Sequence, residues 1–239
     1  MPFSIVISGV TGRVGRALAE LARADPDVRL AGALASESSA KQPLDADRRV
    51  RINDPPAPPV DAVIDFSTSS GCARAIRCAL DSGAALVVGT TGLADRVESH
   101  LRDAAASIPM LVAANTSLGA CVLIDLASRA TRALGDAYDV SLIEAHRAGK
   151  RDAPSGTALA LARAVRDSGG SIDDGAVLSL RAGDTVGEHT VRFDATGETL
   201  QITHRATDRR LFAAGALRAA KWLAGRPPGR YAMSDVLGL

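Results

Sequence analysis

The sequence predicts an α/β chain in two parts, and three observations carry that prediction. The first half alternates short apolar runs with segments of helical periodicity, the pattern of parallel β/α units. A glycine-rich turn joins the first apolar run to the first helical segment. After Asn115 the texture changes to helices and segments that alternate apolar with polar residues, closed by a last helix.

Taken in order, Phe3–Ser8 reads as a strand buried on both faces, and Val14, Ala17, Leu18 and Leu21 share one helical face. Further strands are expected at Val28–Leu34, Ala62–Phe66, Leu86–Val88 and Met110–Ala113, with helices near Ser70–Asp81 and Ala94–Ala106 between the last three, a five-stranded start. The polar stretch Ser36–Pro59 ends in Asp54-Pro-Pro-Ala-Pro-Pro59, where prolines remove donors and forbid helix, so an exposed irregular connection is expected. A helix over Leu118–Ala133 leads to a strand, Asp139–Ala145, then to a helix opened by Pro154-Ser-Gly-Thr157 and running to about Asp167. Val177–Leu180, Glu188–Phe193 and Thr199–His204 alternate and read as antiparallel strands with one packed face, the last two joined by a hairpin turn at Ala195-Thr-Gly197. Arg209–Ala224 places Phe212, Ala216, Ala219 and Leu223 on one helical face and stops at Gly225, before Pro227-Pro228. This tail is expected to pack back on the first part.

At 239 residues there is room for one large domain or two small ones. Hydrophobic content of 46% and charged content of 23% exclude a disordered chain. With 28 basic against 27 acidic residues the footprint of a nucleic-acid binder is missing, so anionic ligands must be caught locally. Cys72, Cys78 and Cys121 form no C-x-x-C pair, which points to neither a disulfide framework nor a zinc site but to buried thiols in a reducing compartment. No basic n-region opens the chain and no apolar run approaches the roughly 20 residues of a membrane span, so a cytoplasmic protein is expected. Lysine is rare, at positions 41, 150 and 221 only, so each lysine carries information.

Gly9-Val10-Thr11-Gly12-Arg13-Val14-Gly15 lies between strand and helix, the context in which a glycine-rich turn holds a dinucleotide. Gly9 permits the tight turn, Gly12 lets pyrophosphate approach the backbone, and Gly15 allows close helix–strand packing. The alternative is a tight turn with no ligand. An acidic residue about 20 positions on would ordinarily hold the ribose hydroxyls. Here the second strand ends at Ala33-Leu34-Ala35-Ser36, with Glu37 just beyond and Ser38 and Lys41 further along. Nothing at that strand end repels a phosphate, so both nicotinamides are expected to bind, NADPH at least as well as NADH. A boundary one or two residues off would bring Glu37 to the ribose and favour NADH. Gly89-Thr90-Thr91-Gly92 and Ala113-Ala-Asn115-Thr116-Ser117 follow the fourth and fifth strands, at the sheet edge where open α/β folds bind ligands.

The densest signal is Glu144-Ala-His146-Arg147-Ala-Gly-Lys150-Arg151-Asp152-Ala-Pro154-Ser155-Gly156-Thr157. It gathers a titratable imidazole, several cations and a helix N-terminus directly after a strand, an anion site with a proton donor. His146 can transfer protons near neutral pH, and Lys150 suits a carboxylate or the protonation of a carbanion. Ser155, Gly156 and Thr157 offer backbone N–H groups and hydroxyls to a second anionic group. The alternative is a solvated basic loop. His100 reads as solvated, His189 and His204 as packing or pairing residues, and no metal-ligand spacing links the histidines, so no metal site is expected.

These residues resemble the dihydrodipicolinate reductase family, whose signature is similar to Glu144-Ala-His146-x-x-x-Lys150-x-Asp152-Ala-Pro-Ser-Gly-Thr-Ala158. Gly9–Gly15, Ile64-Asp-Phe-Ser67, Val88-Gly-Thr-Thr-Gly92, Ala114-Asn115, Arg181-Ala-Gly-Asp184, Gly187-Glu-His189 and Met233–Leu239 are similar to family segments in the same order. The resemblance implies an N-terminal Rossmann dinucleotide-binding domain, 1–117 with 207–239, and a C-terminal α+β domain, 118–206, built on a mainly antiparallel open sheet. It implies reduction of 4-hydroxy-tetrahydrodipicolinate by NADPH or NADH, with loss of water, in lysine and diaminopimelate synthesis. It also implies a homotetramer built through the second sheet.

By the same resemblance, Gly9–Val14, Ser36, Gly89, Thr90, Thr91, Ala113, Asn115 and Thr116 would line the cofactor. His146 and Lys150 would be catalytic, and Arg147, Ser155, Gly156 and Thr157 would contact a small dicarboxylate. The chain departs from the family at Arg147, where a second histidine is usual, at Thr116, where an aromatic is usual, and in a short link between residues 168 and 181. Two other readings use part of the same residues: another two-domain amino-acid dehydrogenase, and a non-catalytic NADPH-binding regulator.

Overall fold

The apolar runs of the first half become strands in the computed structural model, which describes residues 1–39 and 50–239. In chain order they are β1 (Phe3–Ser8), α1 (Arg13–Ala24), β2 (Val28–Leu34), β3 (Ala62–Asp65), α2 (Ser69–Ser82), β4 (Ala85–Val88), α3 (Asp95–Ala104) and β5 (Pro109–Val112). The second half supplies α4 (Leu118–Leu134), β6 (Asp139–His146), α5 (Gly156–Asp167), β7 (Val177–Arg181), β8 (Gly187–Ala195) and β9 (Glu198–Ala206). The tail supplies α6 (Arg210–Leu223), β10 (Gly229–Tyr231) and α7 (Met233–Leu237). The chain divides into two compact units, Met1–Thr116 with Arg209–Gly238, and Ser117–Asp208.

In the first unit six parallel strands take the order β10-β5-β4-β3-β1-β2. Strand β1 feeds β2 on one side and β3 on the other, so the direction of winding reverses beside it, and such a reversal opens a crevice at the strands' carboxyl ends. Ile5, Ile7, Ile64 and Leu86 are fully buried, and each contributes about 1.5–3 kcal/mol of burial. Helices α2 and α3 pack Cys72, Ala75, Ile76, Val97 and Leu101 against Val6, Val63, Leu86 and Met110. Helices α1 and α6 lie against each other, and α6 also covers β3, β4 and β5.

Three expectations for this unit need correction. A sixth strand, β10, pairs with β5 where only five were expected; three residues after a Pro-Pro pair are too short a run to register. The buried face of α6 is carried by Ala213, Ala216, Ala219, Ala220 and Leu223, with Phe212 only half-buried, because small side chains let α6 approach α1. The stretch after residue 50 is not simply exposed. Ile52 is buried and bridges to Ala33 as a short parallel partner, and Ala57 N–H bonds the Ala31 carbonyl. Lys41 lies outside the described residues.

In the second unit four strands take the order β7-β6-β8-β9. Helices α4 and α5 cover one face, packing Leu123, Ala127, Leu161 and Val165 against Val140, Leu142, Val191 and Phe193. Strand β7 runs parallel to β6, whereas alternation alone suggested an antiparallel strand. The helix between them supplies the reason: α5 carries the chain back along the sheet, and a helical crossover delivers a parallel strand. β8 and β9 are antiparallel neighbours, as expected. The alternation that buries Val140 and Leu142 continues along β6 to bury Glu144 and His146, and this places polar groups at the end of an apolar face.

Candidate active site

In the first unit the turn after β1 is built around glycines that cannot be replaced. Gly9 has φ 80°, and a Cβ there would lie 2.1 Å from the Phe66 carbonyl oxygen. A Cβ on Gly15 would lie 2.1 Å from the Gly9 carbonyl, so α1 seats directly on the turn. Gly12 N–H closes the turn on Gly9 O at 2.9 Å, and Gly9 N–H is anchored to Leu34 O at 2.9 Å.

A cavity of about 590 Å³ opens at the β1/β3 reversal. Its lining includes Gly9, Thr11, Gly12 and Ser36 of the expected cofactor residues, Glu37, expected at the ribose only from a shifted strand end, and Phe66, Ser67, Thr68 and Arg74, which the sequence does not assign. This is a fitting place for a dinucleotide: backbone amides at a helix start, glycines at both ends of the turn, and sufficient volume. Of the other expected residues, Val10 is buried beneath the turn and Arg13 and Val14 open α1.

Gly89, Thr90 and Thr91 follow β4 and are tied to the loop after β3. Buried Asp65 accepts from Ser67 Oγ at 2.5 Å and from Thr90 Oγ1 at 2.6 Å, while Ser67 N–H donates to Thr90 Oγ1 at 2.8 Å. Ala113 and Asn115 follow β5 on the same edge, and Ala113 N–H bonds Val88 O. Thr116 is buried with its hydroxyl donated to the Phe212 carbonyl at 2.8 Å, so that hydroxyl anchors the start of α6.

In the second unit Glu144 is the hub. Side chains two apart on β6 share a face, so Glu144 and His146 point the same way, and His146 Nδ1–H donates to Glu144 Oε2. Arg181, at the end of β7, grips both carboxylate oxygens at 2.9 and 2.6 Å, and Ser155 N–H reaches Oε1 at 3.2 Å. Arg181 also donates to the Asp152 carbonyl at 2.6 Å. One buried carboxylate therefore fixes the imidazole, the loop after β6 and the start of α5.

The electrostatics follow from that geometry. Burial opposes the charge on Glu144, but hydrogen bonds from Arg181, Ser179 and His146 outweigh it and hold the carboxyl at about 2. Burial lowers the His146 pKa below the usual range, and the Glu144 carboxylate works against it. With Nδ1 committed to Glu144, Nε2 is the nitrogen left for chemistry. It faces Gly187, where a Cβ would stand 3.1 Å away.

His189 sits directly across the sheet from Glu144 and packs edge-on against His146 with ring centroids 5.1 Å apart. Burial, and then the neighbouring His146, push it down to about 4, so it is neutral at pH 7. Ser155 Oγ caps α5 by accepting Ala158 N–H at 3.2 Å and shares a 3.0 Å hydrogen bond with His189 Nε2. Glu144, His146 and His189 bring ligand-type atoms within 4.8 Å of one another, a cluster that spacing along the chain did not reveal. Both Glu144 oxygens are held by Arg181, so a guanidinium takes the role that a metal would need the carboxylate for.

Lys150 is not a free cation. Its ammonium donates to both Asp152 oxygens at 2.8 and 2.7 Å, and this pair lowers the Asp152 pKa. Arg147 is half-buried at the turn, where its carbonyl accepts Lys150 N–H at 3.1 Å. Gly156 and Thr157 are the first residues of α5, where orphan N–H groups and the helix dipole favour an anion. His100 is exposed, as expected, and His204 Nε2 shares a 3.2 Å hydrogen bond with Ser117 Oγ.

Glu144 and Arg181 are site residues that the sequence pattern does not single out. The signal for Glu144 was its two-residue offset from His146; for Arg181 there was none short of the fold.

Two family models match the chain: dihydrodipicolinate reductase, N-terminus, over residues 3–116, and dihydrodipicolinate reductase, C-terminus, over residues 119–237. A 4-hydroxy-tetrahydrodipicolinate reductase of Xanthomonas campestris pv. campestris (strain B100) is 42% identical over 237 residues, 99% of this chain and 98% of the relative. One from Myxococcus xanthus (strain DK1622) is 41% identical over 263 residues, 98% of this chain and 97% of the relative. In fold, the chain is similar to a dipicolinate-bound dihydrodipicolinate reductase from Paenisporosarcina sp. TG-14, with TM-score 0.78 and 20% identity over 98% of this chain and 99% of that one.

Proposed function

The chain belongs to the dihydrodipicolinate reductase family, and from that premise we propose that it reduces 4-hydroxy-tetrahydrodipicolinate to tetrahydrodipicolinate, with loss of water, at the expense of NADPH or NADH. The single observation that carries the reading is the Glu144–His146 pair at the end of β6 with Lys150 and the α5 N-terminus in the loop beside it. A regulator that only bound NADPH would have no use for it.

The nicotinamide supplies a hydride. The protein's own groups supply the rest. His146, steered by Glu144 so that Nε2 is the reacting nitrogen, delivers the proton that the substrate ring must take up at carbon for each hydride received. Lys150 and Arg147 meet one carboxylate, and for Lys150 this means exchanging Asp152 for the substrate. Gly156 and Thr157 meet the other carboxylate with backbone N–H groups, while Ser155 holds the helix start in place. Gly9–Val14 receive the pyrophosphate, and Ser36 and Glu37 mark the ribose end. That end offers a carboxylate for ribose hydroxyls and a guanidinium for a phosphate, which supports use of both cofactors.

We place the enzyme in the cytoplasm. Its three thiols are free, and no helix among the described residues is long and apolar enough to cross a membrane. A tetramer built through the second sheet is part of the same proposal. The uncovered face of that sheet carries Ile143, Leu178 and Leu180, which are 39%, 57% and 57% exposed.

The test is turnover with freshly generated substrate, followed as loss of reduced nicotinamide absorbance. Substrate-dependent oxidation of NADPH or NADH is expected; an inert protein that still binds either cofactor would favour the regulator.

A further inference from the structure

The carboxyl end of β2 is held by a residue from the connection that follows it. Asn53, with φ 65°, donates its N–H to the Ala33 carbonyl at 2.7 Å and accepts Ala35 N–H on Oδ1 at 3.0 Å. The same Oδ1 accepts Arg74 Nη2 at 2.8 Å, while Arg74 Nη1 donates to the Ala35 carbonyl at 2.8 Å. A long side chain from α2 is thus clamped to the tip of β2, 39 residues away in sequence. The clamp lowers the ordering cost that an exposed arginine would otherwise meet on binding a ligand.

In a doubly wound sheet the adenosine ribose of a dinucleotide lies at this strand end. Among the described residues lining the cavity there, Arg74 is the one cation and Glu37 the one anion. A guanidinium has five donors, and the two bonds to Ala35 and Asn53 use two of them.

We propose that Arg74 reads the ribose 2′-phosphate of NADPH, with Glu37 on the same cavity as the acceptor for the ribose hydroxyls of NADH. The inference rests on the nicotinamide-reductase reading above and adds to it the residue that sets cofactor preference. A planar, permanently charged fork suits a phosphate, and a carboxylate on the same cavity keeps the diol-bearing cofactor competitive.

The experiment uses the full chain and two probes that need no turnover, adenosine 2′,5′-bisphosphate and 5′-AMP, titrated by calorimetry. Arg74→Gln should weaken the bisphosphate by about tenfold to a hundredfold, the size of one or two charge-assisted contacts, and leave 5′-AMP within about threefold. Arg74→Lys should recover part of the loss, and Glu37→Gln should weaken NADH relative to NADPH. Equal losses for both probes would overturn the proposal, assigning Arg74 to the adenine or to the strand end alone. An unchanged bisphosphate affinity would also overturn it. If neither probe binds the wild-type chain, the dinucleotide reading itself fails, an outcome distinct from loss of selectivity.

Discussion

Glu144→Gln preserves the side-chain volume and removes the charge on which three groups converge. The carboxyl is held at about 2 against an ordinary 4.5, and that shift corresponds to about 3 kcal/mol in favour of the ionised form. Water reaching Arg181, whose side chain is 17% exposed, reduces this to about 2 kcal/mol. The variant also leaves a guanidinium without its counter-ion, so a loss of about 2–4 kcal/mol is expected near neutral pH. Because the folded pKa lies below the unfolded one, the stabilisation is complete above about 4.5 and fades as pH falls through about 2. The gap between wild type and variant should therefore narrow by about 1 kcal/mol between about pH 6 and about pH 3.5, measured by urea unfolding. Catalysis gives a second readout. Glu144 raises the His146 pKa against burial, so without it the imidazole titrates lower. The limb on which kcat falls with rising pH should move down, and kcat at neutral pH should drop by about tenfold or more. A gap constant with pH, together with an unmoved limb, would refute the assignment of Glu144 as the ionised partner of His146.

His146→Gln should lower kcat by about 10²–10⁴-fold, the usual size of a general acid contribution, with NADPH affinity near wild type; near-normal turnover would remove His146 from the mechanism. Lys150→Ala should raise the KM for the dicarboxylate and lower kcat, for a combined drop in kcat/KM of about 10- to 100-fold. Unchanged kinetics would mean that the Lys150–Asp152 pair never opens to substrate. Gly187→Ala puts a methyl 3.1 Å from His146 Nε2 and 3.3 Å from Cδ2, so the ring must yield by a few tenths of an ångström. A fall of about tenfold in kcat with little change in unfolding midpoint is the expected result, and an unaltered kcat would show that the ring has slack at Nε2.

Whether a residue's role could be read from the sequence depended on how far away its partner lies. The strands and helices of the first unit are local patterns, and β1, β2 and α2 fall within a residue or two of the runs that predicted them. The signature loop was also local: His146, Lys150, Ser155, Gly156 and Thr157 crowd into one stretch, and the structure keeps them together around the end of β6 and the start of α5. What periodicity missed depends on strand pairing. Arg181 meets Glu144 only because β7 lies beside β6 in parallel register, with Glu144 opposite Ser179 and His146 opposite Arg181. An antiparallel β7, which alternation suggested, would pair these residues differently. Arg74 reaches Ala35 only because α2 descends beside the tip of β2. The Lys150–Asp152 pair lies nearer, a carboxylate two residues on that takes the ammonium until a substrate exchanges with it. The loop was thus legible as charged chemistry, while its control was not. A loop with three cations and no internal anchor would be a solvated face, the alternative open from the sequence. One buried carboxylate that binds the imidazole, the guanidinium and the helix start at once makes it a site with a fixed geometry.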